Sequence, residues 1–197
     1  MRGALRIVMA SRNQHKVREL ARVLAPHTLE PLPDAVGLPP EDGESFTANA
    51  LMKARAAAAA IGAPALADDS GIVVPALGGA PGVRSARYAG AAATDEQNLG
   101  KLLNDMAGER DRRAAYVCVL ALVEPDGAER LFEGRCEGRL ASSPRGSGGF
   151  GYDPAFLPDD LEGPARTMAE IEPAEKDAIS HRGRAARALA AALGGAA

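Results

Sequence analysis

The chain has 197 residues, 46% of them hydrophobic and 25% charged, with a net charge of −3. That length allows one domain spanning residues 1–197, with room for a sizeable core. The acidic balance leaves no electrostatic footprint for nucleic acid, so any phosphate site must be local. The two cysteines, Cys118 and Cys136, lack metal-ligand spacing and read as buried thiols. Arg2-Gly3-Ala4-Leu5 shows no signal-peptide pattern, and no apolar run reaches membrane-spanning length. A soluble cytoplasmic protein is expected, without nucleic acid or membrane among its partners.

Leu5 to Ala10 reads as a buried strand. Ser11 follows at once, and with Gln14 it fits a capping box. Val17, Leu20, Ala21 and Leu24 then keep helical spacing until Pro26. A helix start directly after a strand offers backbone N–H groups and a positive dipole end, which suits phosphate. Lys16 in the first turn opposes that dipole. It is compatible with a phosphate ligand or with an ordinary surface lysine.

Thr28 to Leu32 reads as a second strand, and Pro31, Pro33, Pro39 and Pro40 make a loop after it. Glu41-Asp42-Gly43-Glu44 either is solvated or holds a cation. A helix is predicted from about Ser45 to Ile61, stopping at Gly62-Ala63-Pro64, with Asn49 and Lys53 on one face.

Ala65 to Val74 contains two short apolar runs interrupted by Asp68-Asp69-Ser70-Gly71. An unpaired carboxylate is costly to bury. On an extended backbone adjacent side chains point to opposite faces. One carboxylate would then face a ligand while the other is held from behind. A turn is the competing reading, because Asp-Ser-Gly is ordinary turn chemistry.

Leu77 to Tyr88 is a glycine-containing loop, and Thr94 to Gln97 caps a helix ending near Gly108. Ala114 to Val123 and Glu129 to Cys136 read as paired strands joined by Pro125-Asp126-Gly127. Gly146 to Gly151 fits the GxGxxG pattern, but Tyr152-Asp153-Pro154 follows and no helix opens, so a dinucleotide fingerprint is rejected. An exposed loop presenting Phe150, Tyr152 and Asp153 is expected, either to stack on a flat base or to form a hydrophobic plug. One last helix is predicted from Pro173, with Ile179, Ala186, Leu189 and Leu193 as its buried stripe. Lys176, Ser180, His181 and Arg182 cluster in its first half. Cationic groups near a helix start argue for an anionic or carbonyl-rich ligand, or else for a solvated basic face.

Taken in order, these stretches resemble one family, the inosine/xanthosine triphosphate pyrophosphatases that act on deaminated purine nucleotides. The resemblance rests on Ser11-x-Asn13-x-x-Lys16-x-x-Glu19, Phe46 to Ala54, Ala67 to Gly71, Leu77 to Tyr88, Gly148 to Pro154, and Lys176 through Ser180-His181-Arg182. It implies an elongated, two-lobed α/β fold with a long central mixed sheet flanked by helices. It also implies a nucleotide cleft between the lobes, and a homodimer. Asp69 would bind Mg²⁺ with Glu41 and act as general base. The stretch Ser11, Arg12, Asn13, Gln14, His15 and Lys16 would hold the phosphates, with Lys53 assisting, and Ser70 would contact substrate. Phe150, Gly151, Tyr152 and Asp153 would form the base pocket, and Lys176, His181 and Arg182 would read the base edge. Where relatives often have a glutamate after the Phe46 position, this chain has Thr47-Ala48, which removes a capping-box partner for Ser45.

The implied reaction converts ITP, dITP or XTP to the monophosphate and pyrophosphate. The rivals are a pyrophosphatase for other modified nucleotides and a nucleotide-binding regulator without turnover. A P-loop NTPase is excluded because GxxxxGK[ST] is absent.

Overall fold

The computed structural model describes residues 4–194, so Arg2 and Gly3 of the opening stretch lie outside the described residues. The chain begins with β1 (Arg6–Met9), α1 (Gln14–Val23), β2 (Thr28–Pro31), α2 (Phe46–Ile61) and β3 (Ala65–Val73). It continues through α3 (Asp95–Asp105), β4 (Arg113–Val123), β5 (Glu129–Leu140) and β6 (Phe156–Pro158), then ends in α4 (Pro173–Ile179) and α5 (His181–Gly194). The six strands form one sheet in the order β2-β1-β3-β4-β5-β6. β1 runs parallel to both β2 and β3, whereas β5 and β6 are antiparallel, so the sheet is mixed and the class is α/β. Among the described residues no helix is long and apolar enough to cross a membrane.

Two compact units divide the chain. Among the described residues the first contains 4–69, 118–134 and 182–194; the second contains residues 70–117 and 135–181. In the first unit the strands alternate cleanly. Ile7, Met9, Leu66, Cys118, Leu120 and Leu122 pack with α1 and α5, while Val8, Ala10, Ala65, Ala67, Val119 and Ala121 pack with α2. The alanines Ala50, Ala54, Ala57 and Ala58 let α2 approach closely. In the second unit Leu99, Leu102 and Met106 of the α3 region pack with Ile72, Tyr116, Cys136, Tyr152 and Phe156.

Several expectations change. β3 runs without interruption through Asp68-Asp69-Ser70-Gly71, so neither a turn nor two separate strands exists there. Residues flanking the acidic pair are paired in the sheet or packed against helices, and this outweighs local turn preference. α1 starts at Gln14 and is capped by Asn13, whose side chain accepts from His15 and Lys16 N–H, so the Ser11–Gln14 box does not form. Ala21 faces solvent, and Glu19 is buried instead. The single C-terminal helix is two helices, because Ser180 is extended (φ −67°, ψ 155°). Ser45 caps α2 by accepting the Ala48 N–H at 3.1 Å, without the missing glutamate.

Gly71 shows why this strand carries a glycine. A Cβ there would stand 2.5 Å from the Gly82 carbonyl oxygen and would collide with Ser85 Oγ. That hydroxyl accepts the Ile72 N–H at 2.9 Å and donates to Gly82 O at 2.6 Å. Gly71→Ala should therefore destabilise the protein by about 1–3 kcal/mol, as overpacking typically does. Urea unfolding checks this, and wild-type stability in the variant would contradict it.

Candidate functional site

The side chains of Asp68 and Asp69 leave β3 on opposite faces, as the period of two requires. Asp68 is 0% exposed and lies on the α1/α5 face. Its Oδ1 accepts from Lys16 Nζ, and its Oδ2 accepts from Arg182 Nε at 3.0 Å and from the Cys118 thiol at 3.1 Å. Arg182 Nη1 in turn donates to Glu19. Burial pushes the Asp68 carboxyl up, but Lys16 and Arg182 outweigh it and hold the group well below the usual carboxylate range. Burial also works against the Arg182 charge, and Asp68 and Glu19 more than restore it. Burial and the nearby Asp68 charge raise Cys118 well above an ordinary thiol, so it stays protonated and donates. Asp68 is thus a fixed anion whose acceptors already face three donors.

Asp69 lies on the α2 face and is 4% exposed. Asn49 Nδ2 donates to its Oδ2 at 3.0 Å, and Lys53 Nζ is 3.9 Å from its Oδ1. The Lys53 ammonium also donates to the Asp68 carbonyl oxygen at 2.7 Å and to Glu41. Asn49 Oδ1 accepts the Gly43 N–H at 2.8 Å, which pins the loop carrying Glu41 to α2. Burial raises the Asp69 pKa to about 6, despite the opposing pull of Lys53 and Asn49. A carboxylate with such a pKa suits proton abstraction near neutrality. Among the described residues no group of three or more His, Cys, Asp or Glu surrounds a common point. Mg²⁺ does not need such a cage: it takes one or two carboxylates and fills its other positions with water and phosphate. Asp69 and Glu41 are two such carboxylates, both within ion-pair distance of the Lys53 ammonium.

The start of α1 differs from a bare phosphate cradle. Asn13 already accepts the N–H groups of His15 and Lys16, at 3.0 and 3.2 Å. Ser11 Oγ accepts the Asn13 N–H at 3.2 Å. The Arg12 guanidinium donates to the carbonyls of Leu32, Pro33 and Val36 and to Asp34 Oδ1, so it clamps the loop after β2. Gln14 and His15 are exposed, and His15 Nδ1 lies 3.3 Å from Arg18 Nη2. The unfavourable position of Lys16 in a first turn is offset by Asp68 directly behind it.

The second unit holds the remaining group. The glycine loop does not present all its polar and aromatic tips to solvent: Tyr152 and Asp153 are buried, and Phe150 is half-buried. Tyr152 packs as a plug, with its hydroxyl donating to Ser85 O at 2.7 Å. Asp153 Oδ2 accepts the Phe150 N–H at 2.9 Å and the Lys176 ammonium at 2.6 Å. Gly149 (φ +70°) permits this, since a Cβ there would strike the Asp153 carboxylate. Lys176 Nζ lies 5.0 Å from the Phe150 ring centroid, a cation–π contact. Gly151 N–H donates to Asp95 at 2.8 Å, and Ser70 is half-buried at the unit's first position. His181 is buried and stacks on Tyr116, with centroids 4.5 Å apart.

Lys16, Glu41, Lys53, Asp69 and Arg182 therefore gather in the first unit, and Phe150, Asp153, Lys176 and His181 in the second. Lys176 and Arg182 do not share a helix, and Arg182 meets carboxylates of the first unit. Sequence reasoning gave Tyr116 no role, read Cys118 only as a buried thiol, and placed Glu19 in the motif after Lys16 without its ion pair to Arg182.

The first unit of this α/β protein thus brings cations, a buried carboxylate of raised pKa and an acidic loop together in one cluster. Residues 7–192 match the Ham1 family. The chain is 53% identical over 189 residues to the dITP/XTP pyrophosphatase of Symbiobacterium thermophilum, covering 91% of this chain and 90% of the relative. It is 51% identical over 201 residues to the dITP/XTP pyrophosphatase of Frankia alni, covering 96% and 97%. A HAM1 protein from Coxiella burnetii superposes with a TM-score of 0.87 at 43% identity, over 98% of this chain and 100% of that one. The chain belongs to the Ham1 family.

The ion array behind Lys16 has a measurable consequence. Arg182 is 3% exposed, and Glu19→Ala would leave it with one counter-charge fewer. Removing one partner of a buried pair costs about 3–5 kcal/mol. Chemical denaturation should show a loss in that range, and a loss below about 1 kcal/mol would mean that the pair behaves as an exposed one.

Proposed function

We propose that this protein is a nucleoside-triphosphate pyrophosphatase that hydrolyses deaminated purine nucleoside triphosphates (ITP, dITP and XTP) to the monophosphate and pyrophosphate. The observation that carries the reading is the division within Asp68-Asp69: one carboxylate is saturated, and its neighbour has a pKa of about 6 beside a lysine and an acidic loop. The names of the relatives supply the substrate class.

In this reading Asp69 takes a proton from water as the water oxygen attacks the α-phosphorus. The new P–O bond forms as the bond to the bridging oxygen breaks, and pyrophosphate departs intact. Asp69 and Glu41 would hold Mg²⁺, which when bound supplies neutralisation of the phosphate oxygens. Lys16, Lys53 and Ser11 carry the phosphate side. Asn13 supports it by fixing the helix start, and Arg12 by fixing the neighbouring loop. Phe150 stacks on the base, and Lys176 and His181 face its edge with Ser70 nearby. Arg182 acts through Asp68, holding the carboxylate that holds Lys16. Hypoxanthine and xanthine have a 6-oxo acceptor where adenine has a donor, and a lysine ammonium only donates. A strong preference for ITP over ATP follows. A cytoplasmic homodimer completes the proposal, on the strength of the family resemblance. A regulator without turnover is disfavoured, since it has no use for a carboxylate poised near neutrality.

The test is pyrophosphate release from ITP, XTP, dITP, GTP and ATP, with and without Mg²⁺. Release from the deaminated nucleotides should dominate, and Asp69→Asn should lower it by about 10²–10⁴-fold while preserving the fold. Near-normal turnover in that variant would move the proton transfer elsewhere.

A pH dependence follows with a definite sign. Asp69 must lose its proton to bind a metal ion, and burial raises its pKa to about 6. Mg²⁺ binding to the nucleotide-free protein should be nearly constant above that pH and weaken by about tenfold per unit below it. Calorimetric titrations between pH 5 and 8 would read this, and Asp69→Asn should abolish the dependence.

A further inference from the structure

Tyr116 lies on β4, is buried, and has no part in the reading above. Its hydroxyl donates to Asp153 Oδ1 at 3.1 Å. The other oxygen of that carboxylate holds the Lys176 ammonium and the Phe150 N–H, at 2.6 and 2.9 Å. One face of the Tyr116 ring stacks on His181, with the planes 10° apart, and the ring also meets Phe156 at a centroid distance of 4.6 Å. A single strand residue thus touches two supports: the carboxylate that orients Lys176 and Phe150, and the imidazole of His181. The glycine loop is tied to neighbouring segments through Gly148, Gly151 and Tyr152, but Phe150 N–H and Lys176 both meet Oδ2 of the Asp153 carboxylate. A carboxylate torsion is broad and roughly two-fold, so a loop-borne Asp fixed only from one oxygen can turn about that bond. A donor fixed on a strand removes that freedom.

We infer that Tyr116 is a specificity-determining positioning residue, which fixes the Asp153 carboxylate and the His181 ring so that Lys176, Phe150 and His181 meet the purine base in one geometry. This rests on the assignment of Lys176 and Phe150 to the base. Tyr116 itself need not touch substrate. Its hydroxyl acts on which base is accepted, and the triphosphate end is indifferent to it.

Tyr116→Phe deletes the hydroxyl and keeps both ring contacts, so thermal unfolding should change little. Hydrogen bonds to charged groups are among the stronger ones, and their loss here should lower kcat/KM for ITP by about tenfold. ATP turnover should change much less, so the ITP-to-ATP ratio shrinks by a similar factor. Inhibition by inorganic tripolyphosphate, which probes only the phosphate side, should stay at the wild-type level. A merely structural role would instead weaken ITP, ATP and tripolyphosphate together and leave the ratio unchanged, which overturns the inference. Lys176→Met, measured in parallel, separates the inference from its foundation. If Lys176→Met collapses the ratio and Tyr116→Phe does not, Tyr116 is not a positioning residue although the base assignment holds. If Lys176→Met also leaves the ratio intact, the base assignment fails and the inference falls with it.

Discussion

The carboxylate of Asp68 is the constraint on which the first unit depends. A charge removed from water this completely is tolerated only with partners of opposite sign and satisfied acceptors. The chain supplies them from three different elements: Lys16 from α1, Cys118 from β4 and Arg182 from α5. Arg182 is buried in its turn and meets Glu19 of α1. Segments far apart in sequence are thereby locked in register by charge as well as by the apolar packing of Leu20, Leu66, Leu120 and Leu189. Apolar contacts tolerate small slips, whereas a buried ion array does not.

The second unit repeats the solution with another aspartate. Asp153 is buried, and its two oxygens meet one ammonium, one backbone N–H and one phenol. In both units a buried carboxylate holds a lysine ammonium, that of Lys16 in one and of Lys176 in the other. A lysine side chain has about 2 kcal/mol of rotamer entropy to lose on ordering. A buried carboxylate fixed in advance holds the ammonium before any ligand arrives, and this is the sense in which each pole is preorganised.

What the sequence made legible follows from period and local chemistry. β1, β2, β4, most of β5, α1, α2 and the Thr94 cap of α3 came from apolar runs, helical spacing and turn residues, whereas β6 and the unbroken course of β3 did not. The opposite orientation of Asp68 and Asp69 came from the pleat alone. What stayed hidden was pairing across long separations. Glu19 stood out only as a motif residue after Lys16, because its partner Arg182 lies 163 residues further along the chain. Tyr116 stood within an apolar run, where a hydroxyl has no visible partner until the glycine loop folds against it. The break at Ser180 was missed because the residues on both sides favour helix. Packing of half-buried Ile179 against one core and burial of Ala186, Leu189 and Leu193 in another override that preference.

Adjacency is what gives this small strand segment two carboxylates of opposite electrostatic character. A buried carboxylate saturated with cations has its pKa driven down and is too weak a base to take a proton from water. One left in a desolvated site with few donors has its pKa driven up. Lys53 stands at the division: its ammonium donates to the Asp68 carbonyl and to Glu41, and it remains 3.9 Å from Asp69 Oδ1. At that distance it moderates the field on Asp69 without forming a close ion pair. Were it closer, the Asp69 pKa would fall as that of Asp68 does. Were it absent, burial would be opposed only by the weaker pulls of Asn49 and Lys16, and the pKa would rise further. The pleat separates the two carboxylates: Lys16 and Arg182 hold the pKa of Asp68 down, while burial raises that of Asp69 against the partial pull of Lys53.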